Sequence, residues 1–217
     1  MRLLDVSVGT ARTIQHMGKE VATAIYKYPV SGPAFVRRLG FDGDMQVDLR
    51  VHGGPDKAVL AMPIENYGFY DAEFGTGPFS HGHFGENLTM RGLTETDARI
   101  GDRYRIGDAL LEVTMPRMPC FKFGHKVGNP KALARCIETG RTGFYLRVIE
   151  EGEVLLGDFA KEGGNPMAAT VRDIHELRFH RKNDIPGLEH AITEPALSKV
   201  VREEFAQRLQ ELRDASN

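Results

Sequence analysis

The segment Arg103-Tyr104-Arg105-Ile106-Gly107-Asp108-Ala109-Leu110-Leu111-Glu112-Val113-Thr114-Met115 reads as two strands, 103–106 and 109–115, folded about a tight turn at Gly107-Asp108. Asp-Gly is the commoner order in such turns, but the flanking runs carry the β-branched and alternating residues that half-buried strands need. Outward from this hairpin, similar short runs occur at Leu3–Val8, Ala22–Val30, Ala58–Met62, Asn87–Met90, Phe144–Ile149 and Glu153–Leu155. Two helices interrupt them. One is expected from about Pro63 to Phe74. The other has Asn129 as N-cap, Pro130 in the first turn and Gly140 as the stop. Many short strands with few helices predict a mainly β fold with some α, a closed or nearly closed barrel that hides its sheet edges. No repeated βαβ unit, GxGxxG or phosphate-loop glycine signature is visible.

Composition changes at Gly163-Gly164-Asn165-Pro166. The expected organisation is a β-barrel domain over residues 1–165 and a three-helix C-terminal extension over 170–217. Thr170-Val171-Arg172-Asp173 has capping-box spacing, with Asp in place of the usual Glu. Val171, Ile174 and Leu177 form the apolar face of the first helix, and the chain breaks near Pro186. Leu188, Ala191 and Ile192 follow in a second helix. Leu197, Val201, Phe205, Leu209 and Leu212 recur at helical spacing in a third. Three short helices bury little alone, so the extension is expected to pack on the barrel.

The chain has 217 residues, 41% hydrophobic and 27% charged, with a formal net charge of −2. That balance gives no reason to expect nucleic-acid or membrane binding. No run approaches the roughly 18 apolar residues of a membrane span, and the N-terminus lacks the features of a signal peptide. Two cysteines without a disulfide framework predict a reducing, cytoplasmic setting.

Cys120 lies in Met115-Pro116-Arg117-Met118-Pro119-Cys120-Phe121-Lys122, beside a proline and two cations. Arg117 and Lys122 would lower a thiol from its reference pKa of about 8.5. The proline predicts a shaped loop at a strand end. Three fates are open to this thiol: nucleophile, metal ligand or inert small hydrophobe. Cys136, with Leu133 and Ile137 on a helix, reads as core. Glycine-rich segments surround the question: Gly40–Asp44, Val51-His52-Gly53-Gly54-Pro55-Asp56-Lys57-Ala58 and Phe84–Leu88. They contribute His52, Lys57 and Asn87, which with Arg117 and Lys122 suit an anionic, phosphate-bearing ligand. A soft thiolate beside them suits a thiophilic metal. Asp42 and Asp44 read as turn residues, His81-Gly82-His83 as a surface loop without further ligands, and Phe121, Phe123, Tyr67, Phe69, Tyr70 and Phe74 as packing.

Together these motifs resemble the MOSC domain family, and within it the YiiM-type bacterial proteins. The likeness runs from Ala24-Ile25-Tyr26-Lys27-Tyr28-Pro29-Val30-Ser31-Gly32 through Gly40–Asp44, His52–Ala58 and Phe84–Leu88 to Pro116–Lys122. The tail resembles the three-helix extension of that subgroup. The resemblance implies a MOSC-type β-barrel that binds the molybdenum cofactor, a molybdopterin carrying Mo, with Cys120 as the protein's metal ligand. It places Lys27, His52, Lys57 and Arg117 around the phosphate and pterin and Asn87 near the metal, with Lys122 a weaker transfer. It implies reduction of N-hydroxylated substrates, such as hydroxylaminopurines, amidoximes and hydroxylamines, to amines, with His52 as the candidate proton donor. The chain shows no flavin, haem or iron–sulfur motif, so electrons would come from an external flavoprotein-type reductase. An amphipathic tail is compatible with a homodimer. Two other functions remain open: a cofactor or sulfur carrier using Cys120, and a cysteine hydrolase with His52 as base.

Overall fold

Residues 103–116 form the expected hairpin, with Ala109 opposite Ile106 and Glu112 opposite Arg103. A computed structural model describes residues 1–47 and 53–215. In chain order the strands are β1 (Arg2–Val8), β2 (Arg12–His16), β3 (Lys19–Thr23), β4 (Tyr28–Pro29), β5 (Ala34–Arg37), β6 (Gly40–Phe41), β7 (Val59–Pro63), β8 (Leu88–Arg91), β9 (Arg103–Ile106), β10 (Ala109–Pro116), β11 (Phe144–Glu150), β12 (Gly152–Val154), β13 (Gly157–Asp158) and β14 (Ala160–Gly163). The helices are α1 (Glu65–Phe74), α2 (Phe121–Val127), α3 (Ala132–Thr139), α4 (Val171–Phe179), α5 (Ile185–Thr193) and α6 (Lys199–Asp214), and a 3-10 turn spans Pro55–Lys57. The fold is mainly β with α, as expected.

The main sheet runs β13-β1-β8-β7-β11-β10-β9-β14, with β4 on β1; β12-β5-β6 and β2-β3 are separate. Of the closed or nearly closed barrel expected, full closure by hydrogen bonds is not found among the described residues. Yet β13 and β14 occupy opposite edges and are separated only by Phe159. Eight flat strands at about 4.8 Å spacing would put those edges roughly 34 Å apart, a gap no single residue spans. The sheet must therefore curl until its edges meet, and chain continuity rather than a ladder joins them. One pair, β7 with β8, is parallel, connected through α1. All five residues of β7 are buried, which is why Val59-Leu60-Ala61-Met62-Pro63 lacks alternation.

One expectation fails and one helix was not foreseen, and both matter for the site. The run Ala22–Val30 is not one strand: β3 ends at Thr23, residues 24–27 are irregular, and β4 pairs with β1 through Ser7–Pro29 and Val8–Tyr28. The shaped loop expected at the strand end forms over residues 117–120, and the helix that follows it was not foreseen; Cys120 is its N-cap in extended conformation (φ −130°, ψ 177°). Phe123 and Val127, four residues apart, supply its buried face, while Gly124 between them hides the pattern. Asn129 does accept a hydrogen bond from Lys131 N at 2.9 Å, but the regular helix starts at Ala132.

The extension shares the sheet's core. Ile174, Leu188, Val201 and Phe205 join Leu111, Val113, Met115 and Phe144 in one contiguous buried cluster. The capping box forms: the Thr170 hydroxyl accepts from Asp173 N and the Asp173 carboxylate accepts from Thr170 N, both at 3.0 Å. Pro186 sits in the first turn of α5 rather than between helices, with Asp184 accepting from Gly187 N at 3.0 Å. A second cluster holds Met62, Tyr67, Tyr70, Phe84, Phe123 and Cys136 under α1–α3. Cys136 is core, as expected, and burial pushes its thiol up to about 11. No helix is long and apolar enough to cross a membrane among the described residues.

Candidate functional site

Six of the seven expected site residues meet in one cleft. Lys27, Lys57, Asn87, Arg117, Cys120 and Lys122 line it together with Asp44, Gln46, Met118 and Tyr145. The seventh, His52, lies outside the described residues. The cleft encloses about 100 Å³, which suits a compact anionic or metal-bearing head group; a larger ligand must project from its mouth.

Asp44 organises the interior. Its Oδ1 accepts from Gly9 N at 2.8 Å and from the Lys27 ammonium, and its Oδ2 accepts from the Asn87 amide at 2.9 Å. Reading Asp42 and Asp44 alike as turn residues missed this. Asp42 does face outward to Arg37 at 2.6 Å, whereas the Asp44 side chain is 5% exposed. Burial pulls the Lys27 pKa down while the Asp44 contact opposes that shift.

Asn87 is a positioning residue. Its Oδ1 accepts from Leu60 N at 3.1 Å, and its amide donates to Ser7 O at 3.2 Å as well as to Asp44. The opposite amide orientation would set oxygen against oxygen and nitrogen against N–H. With both N–H groups engaged, Asn87 ties β1, β7 and the Asp44 loop together rather than offering a donor to a ligand.

Two glycines let these segments approach. A Cβ at Gly9 would lie 2.5 Å from Tyr26 O, and one at Gly85, where φ is +84°, would lie 2.5 Å from the Ile25 side chain. Both contacts press residues 24–27 into the cleft wall.

Arg117 follows β10 and is 6% exposed. It donates to Phe84 O at 2.6 Å and lies 5.0 Å from the centroid of Phe123. Lys122, on α2, donates to Ala22 O at 3.0 Å, so it fastens the β2–β3 hairpin while lining the cleft. Lys57 ends the 3-10 turn, and burial, with Arg178 adding to it, lowers its pKa. Its neighbour Asp56 is gripped from the extension and from β11: the carboxylate accepts from Lys199 N at 3.0 Å and meets Arg147 at 2.8 Å. Tyr145 was missed because β11 alternates, burying Phe144 and turning Tyr145 to the cleft. Burial pushes its phenol up, with the Cys120 thiol adding to the shift.

No group of three or more His, Cys, Asp or Glu residues that could hold a metal ion occurs among the described residues. His81 and His83 form no site: His81 Nδ1 faces Asp5 at 3.0 Å, and His83 packs on Phe79. The cleft therefore offers one thiol amid four cations, and its one carboxylate is saturated by protein donors. That set fits an anionic group whose metal arrives with its own ligands; it does not fit a bare ion.

His83 carries a pH prediction. Burial depresses its imidazolium pKa to about 4 from the ordinary 6.5. The unfolded chain takes up that proton as pH falls through 6.5, and the folded protein does so only near 4. Stability present above pH 6.5 is thus lost progressively down to about pH 4, by as much as ~3 kcal/mol. Urea titrations at several pH values should show this slope reduced in His83→Gln; an identical slope in both proteins would contradict it.

Residues 48–160 match the MOSC domain, and residues 170–212 match the YiiM-like 3-alpha helix domain. The chain belongs to the MOSC domain family. It is 37% identical over 207 residues to the uncharacterized protein YflK of Bacillus subtilis, covering 95% of this chain and 93% of that protein. It is 39% identical over 159 residues to a protein of Gibberella moniliformis named "Reductase", covering 72% of this chain and 28% of that one. The crystal structure of YiiM from Geobacillus stearothermophilus superposes with a TM-score of 0.81 at 32% identity, covering 96% of this chain and 98% of that one.

Proposed function

We propose that the chain is a molybdenum-cofactor-dependent oxidoreductase that reduces N-hydroxylated compounds to amines. The observation that carries this reading is the convergence of Cys120 with Lys27, Lys57, Arg117 and Lys122 on one cleft that has no multidentate metal cluster among the described residues. The relative named "Reductase" supports the reaction class. The overall change is R–NHOH + 2 e⁻ + 2 H⁺ → R–NH₂ + H₂O. When bound, the cofactor supplies the two-electron reduction of the N–O bond. Cys120 is the protein's ligand to its metal. Lys27 and Lys57 neutralise the cofactor's anionic groups, and Arg117 braces the Phe84 carbonyl at the cleft wall. Asp44 holds Lys27 in place, so the ammonium is fixed before any ligand arrives, which limits the ordering cost of binding. His52 is the proposed proton donor. Cys120 and Cys136 form no disulfide among the described residues, in keeping with the reducing cytoplasm proposed for this chemistry.

The test is metal content and turnover of protein purified from a host that makes the cofactor. Wild type should carry close to stoichiometric molybdenum and reduce hydroxylaminopurine or an amidoxime with reduced methyl viologen as donor. Cys120→Ala should lose turnover by at least about a hundredfold, since a metal ligand and not an outer contact is removed, while its melting temperature stays near wild type. Wild type without molybdenum would end this reading. Molybdenum without turnover would make the protein a cofactor carrier.

A further inference from the structure

Cations on most of this surface pair with carboxylates: Arg105 with Glu150 and Glu162, Arg135 with Glu73 and Glu138, Arg213 with Glu189. The region around the cleft mouth departs from that pattern. Arg12, Lys19, Lys126 and Lys131 form no ion pair with a carboxylate among the described residues, and Lys122 gives its ammonium to a backbone carbonyl. The primary sequence accounts for this. Glu20 is the only acid between residues 6 and 41, and none occurs between 113 and 137, although the whole chain is net negative. Glu20 itself is held by the Gln15 amide at 3.4 Å.

Tertiary contacts bring these two acid-poor segments into one face. The β2–β3 hairpin pairs with no other strand among the described residues, and an isolated hairpin is marginally stable in water. It is held instead by α2. His16 stacks on Phe121 with ring centroids 3.9 Å apart, and Lys122 donates to Ala22 O. Arg12 and Lys126 lie 4.4 and 4.8 Å from the centroid of the same Tyr26 ring. Burial lowers the Lys126 pKa, and Arg12 adds a smaller push in the same direction. A shallow groove lined by His16, Phe121, His125, Pro130 and Leu133 runs across this face, and Met17 stands 89% exposed at the hairpin tip. The face begins at Cys120, because Phe121 is the next residue.

We propose that this basic face docks an acidic electron-donor protein at the mouth of the Cys120 cleft. The proposal rests on the reductase reading above, in which each N–OH reduced consumes two electrons and two protons. Two encounters with a one-electron donor, each reduced donor leaving oxidised, supply those electrons; water supplies the protons. Uncompensated cations around a shallow apolar groove provide long-range steering together with a small, reversible contact, the combination a transient redox complex needs. A protein partner is favoured over nucleic acid because the face borders the site where electrons are consumed.

The experiment uses the molybdenum-loaded full chain with two donors: an acidic flavodoxin kept reduced by its own reductase, and reduced methyl viologen. Flavodoxin-supported turnover should fall at least about tenfold as NaCl rises from about 0.05 to about 0.5 M, and by a similar factor in Lys19→Glu/Lys131→Glu at low salt. Lys126→Gln serves as a second variant with a smaller loss. Viologen-supported rates should match wild type throughout. The proposal is overturned if flavodoxin-supported rates ignore salt and both variants, or if viologen reduces the wild type and flavodoxin does not. It is equally overturned if the variants keep flavodoxin turnover but lose binding of a fluorescein-labelled 20-nucleotide single strand, which would make this a nucleic-acid face. Absence of turnover with both donors would sink the reductase reading and the docking proposal with it.

Discussion

Asp44→Ala is expected to lower the unfolding free energy by about 3–5 kcal/mol, the range for removing one member of a buried ion pair. The Lys27 side chain is 8% exposed and would lose its counter-charge, while Gly9 N and one Asn87 N–H would lose their acceptor. Each donor left without a partner in that setting adds a desolvation penalty. Lys27 answers by deprotonating more readily, since burial already lowers its pKa, and this caps the loss. Asp44→Asn keeps the shape and one acceptor oxygen, so its cost should be clearly smaller. Urea denaturation at neutral pH measures both. If Asp44→Ala unfolds within 1 kcal/mol of wild type, the Asp44 carboxylate is not the hub of the site.

Phe205→Ala should cost a further case of about 3–5 kcal/mol, the usual penalty for emptying a fully buried aromatic site. Phe205 is 0% exposed and belongs to the same buried cluster as Leu111, Val113 and Phe144 of the sheet. Because that core is shared, helices and sheet should unfold together, so far-UV circular dichroism and tyrosine fluorescence should give coincident, equally shifted midpoints. Loss of helix signal at lower urea than the fluorescence change would show that the extension folds separately and that the shared cluster does not couple them. The same coupling reaches the cleft, since Lys199 N at the start of α6 holds the Asp56 carboxylate beside Lys57.

Local signals were legible where local physics sets the outcome. The Gly107-Asp108 hairpin, the Thr170–Asp173 capping box and the apolar spacing of α6 depend on neighbours within a few residues, and each formed as read. The six-residue cleft was legible only because glycine-rich motifs occurred in a recognisable order. Spacing alone does not say that Lys27 and Lys122, 95 positions apart, line one cavity. The helix after Cys120 was obscured by Gly124 and by phenylalanines that read only as packing.

Local sequence was enough to read the β-rich class, the helical tail, the core role of Cys136 and the thiol and cations that line the cleft. Tertiary structure alone decided how the sheet curls, because its edges are joined by a residue whose two neighbours pair with strands far apart in sequence. It also separated Asp44 from Asp42. Both are aspartates in one glycine-flanked turn, and only the arrival of Gly9, Lys27 and Asn87 from three other segments makes one of them a buried hub. Long-range donors cannot be read from a local pattern, because the free energy that selects them is the desolvation of groups that meet only after folding.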